Sequence, residues 1–568
     1  MADLAGLLGQ RSTPARENTQ QGHEFAVPDD GRWAQSLRVA ESYNGGMPST
    51  FDPAFVQTMP SRAAPRVSLA VSTDLKRWNY RYMFEKKGER SLGTSPIQLI
   101  AELDNRLDDM GDVLRHAFGI TSELEDPSIP SQEMIYAVVR ICARVDPADS
   151  AQRDAPTDAP PPTVPRLGAQ NMMLEASRMV GNGQRIPLAL DAACTVRYAW
   201  TDAAVQSTNA VGLFPGMIVG VKGRNGSGNR FVAQELLIPP ALPHPASSRA
   251  ELLSHQYDET KLNGAASRIL VGAGPFTEPD NLHFTPWHSF ATYVENVQPD
   301  VLLLMGPFLS ASHPMVAAGT LDEMPATLFR QHIARRLTRL AERVPATTLI
   351  LVPSTDDIFH PHHAYPQPFF DKAEPALGLP KRVRCLPNPS VFYINELAIG
   401  VTTADVLGDL RREELMQKVG AVHTSTDGQQ RAPESSADAR DPMMRLARHA
   451  LGQRSFYPLF PPSSLSKLPL DLSHSRLCAL EQITPDLLLL PSTRVKPFIR
   501  VVDSTLVVNP GPLASSAHDT PRPNSNGSFV RIQVAPMDRA ALDQGAEDTE
   551  LITHDLFGRA KIDLMQTM

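Results

Sequence analysis

Five short apolar runs in the second half of the chain constrain its fold most, because each ends abruptly in a turn. The run Val301–Met305 leads straight into Gly306 and Pro307, and the other four end in the sequences GAGPFT, VPSTDD, LPSTRV and VVNPG. Such runs are typical of buried strands. In an open α/β sheet the carboxyl ends of the strands meet at one edge, where ligands bind. The sequence therefore predicts an edge of this kind, built from these five turns.

The remainder of residues 246–568 predicts a layered α/β domain. Apolar residues recur at three- and four-residue steps in 326–343, and 441–451 also has the pattern of a helix, so both are expected to pack on a sheet. The strands are apolar on both faces, which predicts sheets covered on both sides. The strand candidates are 267–276, 300–308, 347–355, 389–403, 485–493, 504–513 and a segment near 530. We expect the following arginines of the first helix to lie in solvent: Arg335, Arg336 and Arg339.

The first 245 residues show three successive patterns. Residues 1–75 are rich in Ser, Pro, Gly, Gln and Ala without a sustained period, which predicts a disordered arm or linker. Residues 76–120 are predicted to be a helical segment. Residues 121–245 hold about five short strands, interrupted by a polar Pro/Asp/Ala-rich loop at 146–166. This spacing is typical of a small closed barrel such as an OB-fold. A second polar loop is predicted at 423–440.

Composition limits the class of protein. The 568 residues are 42% hydrophobic and 20% charged, which is enough apolar material for a large core. A formal net charge of −8 argues against a protein whose whole surface binds nucleic acid, while a local basic groove stays possible. No apolar run approaches the roughly 20 residues of a membrane span, and no signal peptide is evident, so we expect an intracellular protein. The cysteines are widely spaced, which indicates neither a zinc site nor disulfides: Cys142, Cys194, Cys385 and Cys478.

The chemistry expected at the strand ends is missing from the sequence. The succession of strands resembles the calcineurin-like metallophosphoesterase fold, whose strand ends carry Asp, His and Asn as ligands for two metal ions. Here Pro275 follows the first strand, and Pro307 stands where that resemblance would place a bridging aspartate. Proline has no metal-binding side chain. The third and fourth turns read Pro-Ser-Thr, so we predict no catalytic residue, no metal ligand and no cofactor.

A barrel followed by such a ligand-free domain resembles the B-subunit family of replicative DNA polymerases. Within that family, the stretches GPFLSASHP, LVPSTDDIFHPHHAYPQPFF, QRSFYPLFPP, TPDLLLLPS and VVNPGPL resemble the subunits found with DNA polymerase alpha and primase. The resemblance covers roughly residues 80 to 535. It implies a non-catalytic scaffold in the nucleus that binds the C-terminal domain of the catalytic subunit and supports RNA–DNA primer synthesis. It also implies contact with primase through the complex and at most indirect contact with DNA.

The sequence departs from the resembled family in one respect. That family usually begins with a small helical domain, whereas residues 1–75 read as linker alone.

Three alternative functions stay open at this point. The chain could be an active metallophosphoesterase with altered ligands, or a protein whose barrel binds single-stranded nucleic acid. The third alternative is the corresponding subunit of polymerase delta or epsilon, which belongs to the same B-subunit family.

The densest group of possible metal ligands is interpreted as an exposed polar loop, with a partner contact or a metal site as alternatives: Asp356, Asp357, His360, His362 and His363. NGSGNRF at 225–231 lacks the residues of a phosphate-binding loop and is predicted to join two strands. KRVR at 381–384 is expected to be a solvated loop rather than a nuclear import signal. FYPLFPP at 456–462 is expected to pack internally, with a partner-facing patch as the alternative. Thr13 precedes a proline and is a candidate phosphorylation site.

Overall fold

The computed structural model describes residues 37–44, 64–71, 96–145, 165–181, 183–199, 206–208, 210–419, 441–464, 466, 468–514, 527–544 and 551–567. The candidate site at Thr13 and most of the predicted loops at 146–166 and 423–440 lie outside these residues. None of the described helices combines the length and the apolar character needed to cross a membrane.

The described strands are β1 (Leu37–Tyr43), β2 (Leu69–Val71), β3 (Ser131–Ala143), β4 (Met172–Ala176), β5 (Arg185–Tyr198), β6 (Gln206–Thr208), β7 (Ala210–Leu213), β8 (Ile218–Asn225), β9 (Phe231–Ile238), β10 (Ala246–Ser248), β11 (Ser267–Ala273), β12 (Val301–Met305), β13 (Thr348–Val352), β14 (Arg384–Cys385), β15 (Ser390–Ile394), β16 (Leu397–Val401), β17 (Leu415–Lys418), β18 (Leu487–Leu489), β19 (Phe498–Val502), β20 (Thr505–Asn509), β21 (Ser528–Val534), β22 (Leu551–Thr553) and β23 (Ala560–Thr567).

The described α-helices are α1 (Pro96–Phe118), α2 (Arg249–Tyr257), α3 (Thr285–Val297), α4 (Pro314–Ala317), α5 (Pro325–Leu328), α6 (Arg335–Arg343), α7 (Val406–Glu413), α8 (Pro442–Gly452), α9 (Arg539–Gln544) and α10 (Leu556–Arg559). A π-helical turn, Phe329–Ala334, joins α5 to α6, and a 3₁₀-helix spans Leu472–Cys478.

The N-terminal half contains a closed five-stranded barrel. Strands β4, β3, β8, β9 and β5 follow one another, and pairing of β4 with β5 closes the circle. This order is the Greek-key arrangement of an OB-fold. Helix α1 covers the outer face of β3, β8 and β9, because its apolar residues recur at helical spacing and pack on the barrel. The contact buries Leu107, Met110 and Leu114 against Val138, Ile218 and Leu237.

The C-terminal part contains two packed sheets. The first has seven strands in the order β1-β23-β21-β11-β12-β13-β14, and β11 to β14 run parallel. The second has six strands in the order β19-β20-β18-β16-β15-β2. Alternate residues of β11 point to opposite sides, because side chains alternate along a strand. Ile269 and Val271 lie in the apolar layer between the sheets, whereas Leu270 packs against the helices that cover the first sheet.

The interpretation of residues 1–75 as a disordered arm is wrong for two described segments. β1 adds an antiparallel strand beyond β23, and β2 adds one beside β15. Arg66, which precedes β2, is buried in a bidentate ion pair with Asp300. Neither segment has a strong local pattern, since each gains its hydrogen bonds from a strand far away in the sequence. Pairing across that separation is invisible to local periodicity.

Two further expectations need correction. The segment predicted as one strand at 389–403 is a hairpin of β15 and β16, because Asn395 adopts a left-handed backbone conformation that reverses the chain. Arg336 is not in solvent: it is buried, donates to Thr292 Oγ1 at 2.9 Å and lies 3.2 Å from Glu295. Arg335 and Arg339 are exposed as expected.

Candidate functional site

The predicted strand-end edge is formed as the sequence indicated. Gly274 N donates to Met305 O at 2.8 Å, and Gly306 N donates to Val352 O at 2.9 Å, so the ends of β11, β12 and β13 are held side by side. A Cβ atom on Gly274 would lie only 2.0 Å from Pro307 O, so this close approach requires glycine. Leu513 N, just after β20, donates to Ala273 O at 2.8 Å and brings the second sheet to the same edge.

Asp357 lies at the centre of this edge and is fully buried. Its carboxylate accepts three backbone hydrogen bonds, from Phe308 N at 2.5 Å, Leu309 N at 3.2 Å and Ser354 N at 2.8 Å. Burial raises the pKa of Asp357 to about 7, although these backbone donors act in the opposite direction. The carboxylate thus serves to fasten the turns that follow β12 and β13.

Amide side chains fasten the neighbouring turns. Asn388 Oδ1 accepts from Thr403 N at 3.0 Å, and Asn388 Nδ2 donates to Thr403 Oγ1 at 2.6 Å. Thr403 Oγ1 in turn donates to Pro353 O at 2.9 Å, which ties the hairpin of the second sheet to the end of β13. Gln367 Nε2 donates to Ser354 O at 3.0 Å. These side chains therefore connect the two sheets through backbone groups.

Asn509, at the end of β20, has the same role in the VVNPG turn. Its Oδ1 accepts from Ser492 N and Gly511 N, both at 3.0 Å. Its Nδ2 donates to Val495 O at 3.0 Å and to Lys496 O at 3.2 Å. The side chain is fully buried, and both its polar atoms are hydrogen-bonded to backbone groups, so Asn509 has a structural role.

Arg494, the charged residue that follows Pro-Ser-Thr in the fourth turn, is also held by hydrogen bonds within the protein. Arg494 donates to Asp405 at 2.8 Å and to Asp409 at 2.7 Å. Asp405 caps α7 by accepting from Gly408 N at 2.9 Å. Asp409 also accepts from the Tyr457 hydroxyl at 2.7 Å. The network joins the strand end, α7 and the aromatic segment at 456–462.

The histidine group is less exposed than the sequence predicted. His363 is exposed, but His360 and Asp357 are buried, so the interpretation of a polar surface loop is wrong for those two residues. The Phe370 ring lies 5.2 Å from the ring of His360, and burial lowers the pKa of His360 to about 4. His360 Nδ1 accepts from His362 N at 3.0 Å. Adjacent prolines suggested a surface loop, but aromatic packing from distant residues covers this one.

The donor set does not fit the two-metal centre of a phosphoesterase. Asp357, Asn388 and Asn509 direct their oxygens at backbone N–H groups, and prolines stand at the other turns. Within the ranges described, no three His, Cys, Asp or Glu side chains are grouped so as to hold a metal ion. We therefore derive no reaction step through a metal at this edge.

The aromatic motif at 456–462 is mainly internal. Phe456, Tyr457 and Leu459 are buried, as the packing interpretation expected, while Pro461 is exposed. Phe460 N donates to Pro215 O of the barrel at 3.1 Å. The motif thus belongs to the contact between the barrel and the C-terminal sheets.

Gln453 joins the two parts at that contact through a pair of hydrogen bonds with one barrel residue. Its Nε2 donates to Ile218 O and its Oε1 accepts from Ile218 N, both at 2.8 Å, and Gln453 is buried. Beside it, β7 of the barrel segment pairs with β17. Glu414, just before β17, binds Arg445 and His449 of α8 at 2.7 and 2.8 Å. No local pattern marks this junction in the sequence, because its partners in the barrel and in α8 are more than 200 residues apart.

Comparison with known proteins agrees with this architecture. Residues 101–238 match a family model for the OB domain of the B subunit of DNA polymerase alpha, and residues 269–500 match one for the B subunit of DNA polymerases alpha and epsilon. The chain is 30% identical over 515 residues to the B subunit of DNA polymerase alpha from Schizosaccharomyces pombe, and the match covers 90% of this chain and 76% of that protein. This chain belongs to the family of DNA polymerase alpha B subunits.

Two other members of the family are also similar in sequence to this chain, over different shares of its length. The Saccharomyces cerevisiae protein is 28% identical over 564 residues, covering 92% of this chain and 69% of its own. The Bos taurus protein is 30% identical over 336 residues, covering 59% of this chain and 48% of its own. Membership of the family of DNA polymerase alpha B subunits confirms the resemblance seen in the strand-end motifs, and the match over residues 101–238 confirms the OB domain.

Proposed function

We propose that this chain is a non-catalytic accessory subunit of DNA polymerase alpha and acts as a scaffold in DNA replication. Family membership supports the accessory role, since the relatives are named as the B subunit of that polymerase. The proposed partner is the C-terminal domain of the catalytic subunit, with primase reached through the complex. We place the protein in the nucleus, where a replicative polymerase works.

The C-terminal part is proposed to be a phosphoesterase-like domain that has no hydrolytic role. One observation supports this proposal: the polar side chains at the strand ends form hydrogen bonds with backbone groups. Asp357 alone accepts three backbone N–H donors. A carboxylate used in this way cannot also approach a metal ion without releasing those donors, and each released buried donor costs about 1–3 kcal/mol.

A scaffold must hold its parts in a fixed relation, and the contact between barrel and sheets supports this. The apolar cluster that fills the barrel continues without a break into the layer beneath α7 and α8. Gln453 and the β7–β17 pairing add directional hydrogen bonds to that contact. The two units would therefore present one rigid surface to a partner.

Co-purification tests the proposal. The full chain is mixed with a tagged C-terminal domain of the catalytic subunit, and we expect a one-to-one complex on size-exclusion chromatography. The same preparation is assayed for bound Mn, Fe and Zn and for hydrolysis of bis-p-nitrophenyl phosphate. We expect no stoichiometric metal on this chain and no turnover above a buffer control. Bound metal together with turnover that disappears in Asp357→Ala would overturn the non-catalytic assignment, and failure to form the complex would overturn the scaffold assignment.

A further inference from the structure

A group of exposed cations lies on the helical side of the first sheet. Two of them, Arg335 and Arg339, project from α6, and Arg330 comes from the preceding π-helical turn. The others belong to the segment that leads to β14. We call this group the basic ridge, and its members are Arg330, Arg335, Arg339, Lys381 and Arg382.

The geometry of α6 sets the outer part of the ridge. Leu337, Leu340 and Ala341 are buried, which places Arg335 and Arg339 on the opposite, solvent side. These two arginines are one helical step of four residues apart, so their backbones lie about 6 Å from each other along the axis. Arg343 continues the same side but forms an ion pair with Glu295 at 2.6 Å.

The second part of the ridge is held against the same helix by direct contacts. Arg382 donates to Ala341 O at 3.0 Å and also to Pro345 O, at the C-terminal end of α6. Lys372 Nζ donates to Lys381 O at 3.4 Å and to Val383 O at 3.2 Å, which fixes the backbone between them. The cations of this segment are therefore positioned next to α6 rather than spread along a loose loop.

The charge of the ridge contrasts with that of the whole chain. The formal net charge is −8, yet five cations are exposed here. The exposed carboxylates within 330–343 and 371–384 are Glu342, Asp371 and Glu374, and they leave a local excess of positive charge. Among the described residues, the three cations of the helical part, Arg330, Arg335 and Arg339, form no ion pair with a carboxylate. Their guanidinium groups are available to an external anion.

We propose that the basic ridge binds the phosphodiester backbone of nucleic acid directly and without sequence preference. A group of exposed cations on one face suits a polymer that repeats one negative charge along its length. A protein partner would be expected to need an apolar anchor at the centre of its contact. The large exposed apolar residues of the described chain do not include any member of the α6 surface or of 371–384. This inference goes beyond the scaffold role and does not depend on it.

Fluorescence anisotropy tests the ridge with the full chain. The probe is a fluorescein-labelled single-stranded DNA of about 20 nucleotides, titrated at several salt concentrations between about 50 and 200 mM. The variant carries Arg330→Ala, Arg335→Ala and Arg339→Ala together, all at exposed positions, and its melting temperature is compared with that of the wild type. Loss of three phosphate contacts should lower the slope of log K against log salt by about 2 and weaken binding at least roughly tenfold at low salt.

The matched control removes the same charge elsewhere, through Arg115→Ala, Arg224→Ala and Arg230→Ala on α1 and the barrel, where all three side chains are exposed. We expect this control to bind DNA within about twofold of the wild type. A loss confined to the control would place the contact on the barrel and overturn the proposal. Equal losses in both variants, or wild-type binding that ignores salt, would also overturn it. So would a wild-type chain that binds a polyglutamate peptide through the ridge but not DNA, since the ridge would then serve an acidic protein.

Discussion

Replacing Asp357 with alanine tests whether the strand-end carboxylate is a structural fastening. The change removes the acceptor of three buried backbone hydrogen bonds, at 2.5, 3.2 and 2.8 Å. A net hydrogen bond contributes about 1 kcal/mol, and a buried donor without a partner costs about 1–3 kcal/mol. We therefore expect the free energy of unfolding to fall by about 3 kcal/mol or more near pH 5.

The dependence on pH distinguishes this carboxyl group from an ordinary ionised ligand. Burial raises the pKa of Asp357 from 3.8 to about 7 in the folded protein. Between these two values the folded state holds a proton that the unfolded state has released, so wild-type stability falls as the pH rises through this window. Alanine has no such proton. The destabilisation by Asp357→Ala should therefore shrink by about 2–3 kcal/mol between about pH 5 and pH 8.

Denaturant unfolding of the full chain, followed by tryptophan fluorescence at several pH values, measures this difference. Asp371→Ala is the control, because Asp371 is exposed and accepts only a local turn hydrogen bond from Ala373 N. Its effect should stay within about 0.5–1 kcal/mol at every pH. A destabilisation by Asp357→Ala that grows as the pH rises would refute the reasoning, because it would mean that the folded state favours the ionised carboxylate.

Three further predictions concern contacts that join distant parts of the chain. Arg66→Ala should destabilise the protein by about 3–5 kcal/mol in thermal or denaturant unfolding, because it removes the cation paired with the buried carboxylate of Asp300. An effect below about 1 kcal/mol would show that the 64–71 segment is dispensable. Gln453→Ala should cost about 2–3 kcal/mol through its two lost bonds to Ile218, and limited proteolysis should then separate the barrel from the sheets more readily. Burial opposes ionisation of Glu414, but hydrogen bonds from His449 and Arg445 lower its pKa from 4.5 to about 2. The stabilisation by Glu414 is therefore present above about pH 4.5 and is lost as the pH falls through about 2. The stability difference between the wild type and Glu414→Gln should shrink over that acid range, and a constant difference would contradict these contacts.

Much of the fold was predictable because its signals are local. The apolar runs at β11, β12, β13, β18 and β20 specify buried strands wherever they lie, and the spacing in α1 and α8 specifies amphipathic helices. The absence of a metal-binding side chain at position 307 also follows from the sequence, because proline has none.

The burial and the interaction partners of individual polar residues were not predictable from the sequence. Asp357 and His360 belong to a stretch that reads as a polar loop, and only aromatic packing from Phe370 and the neighbouring turns buries them. Helical spacing places Arg336 on the side of Ile333 and Leu340, but only the packing of α3 supplies Thr292 and Glu295 as its partners. In each case the deciding partner is about ten or more residues away.

The sequence by itself determined that the chain has a barrel, an α/β part and an edge where several strands end, because these follow from local hydrophobic period and residue type. Only the tertiary structure decided that β1 and β2 complete the two sheets, that Gln453 fastens the barrel to them and that cations from α6 and the segment before β14 form one ridge. The physical reason is that hydrogen bonds and burial between distant segments form only once the chain is packed, and no local pattern records which partner each segment will meet.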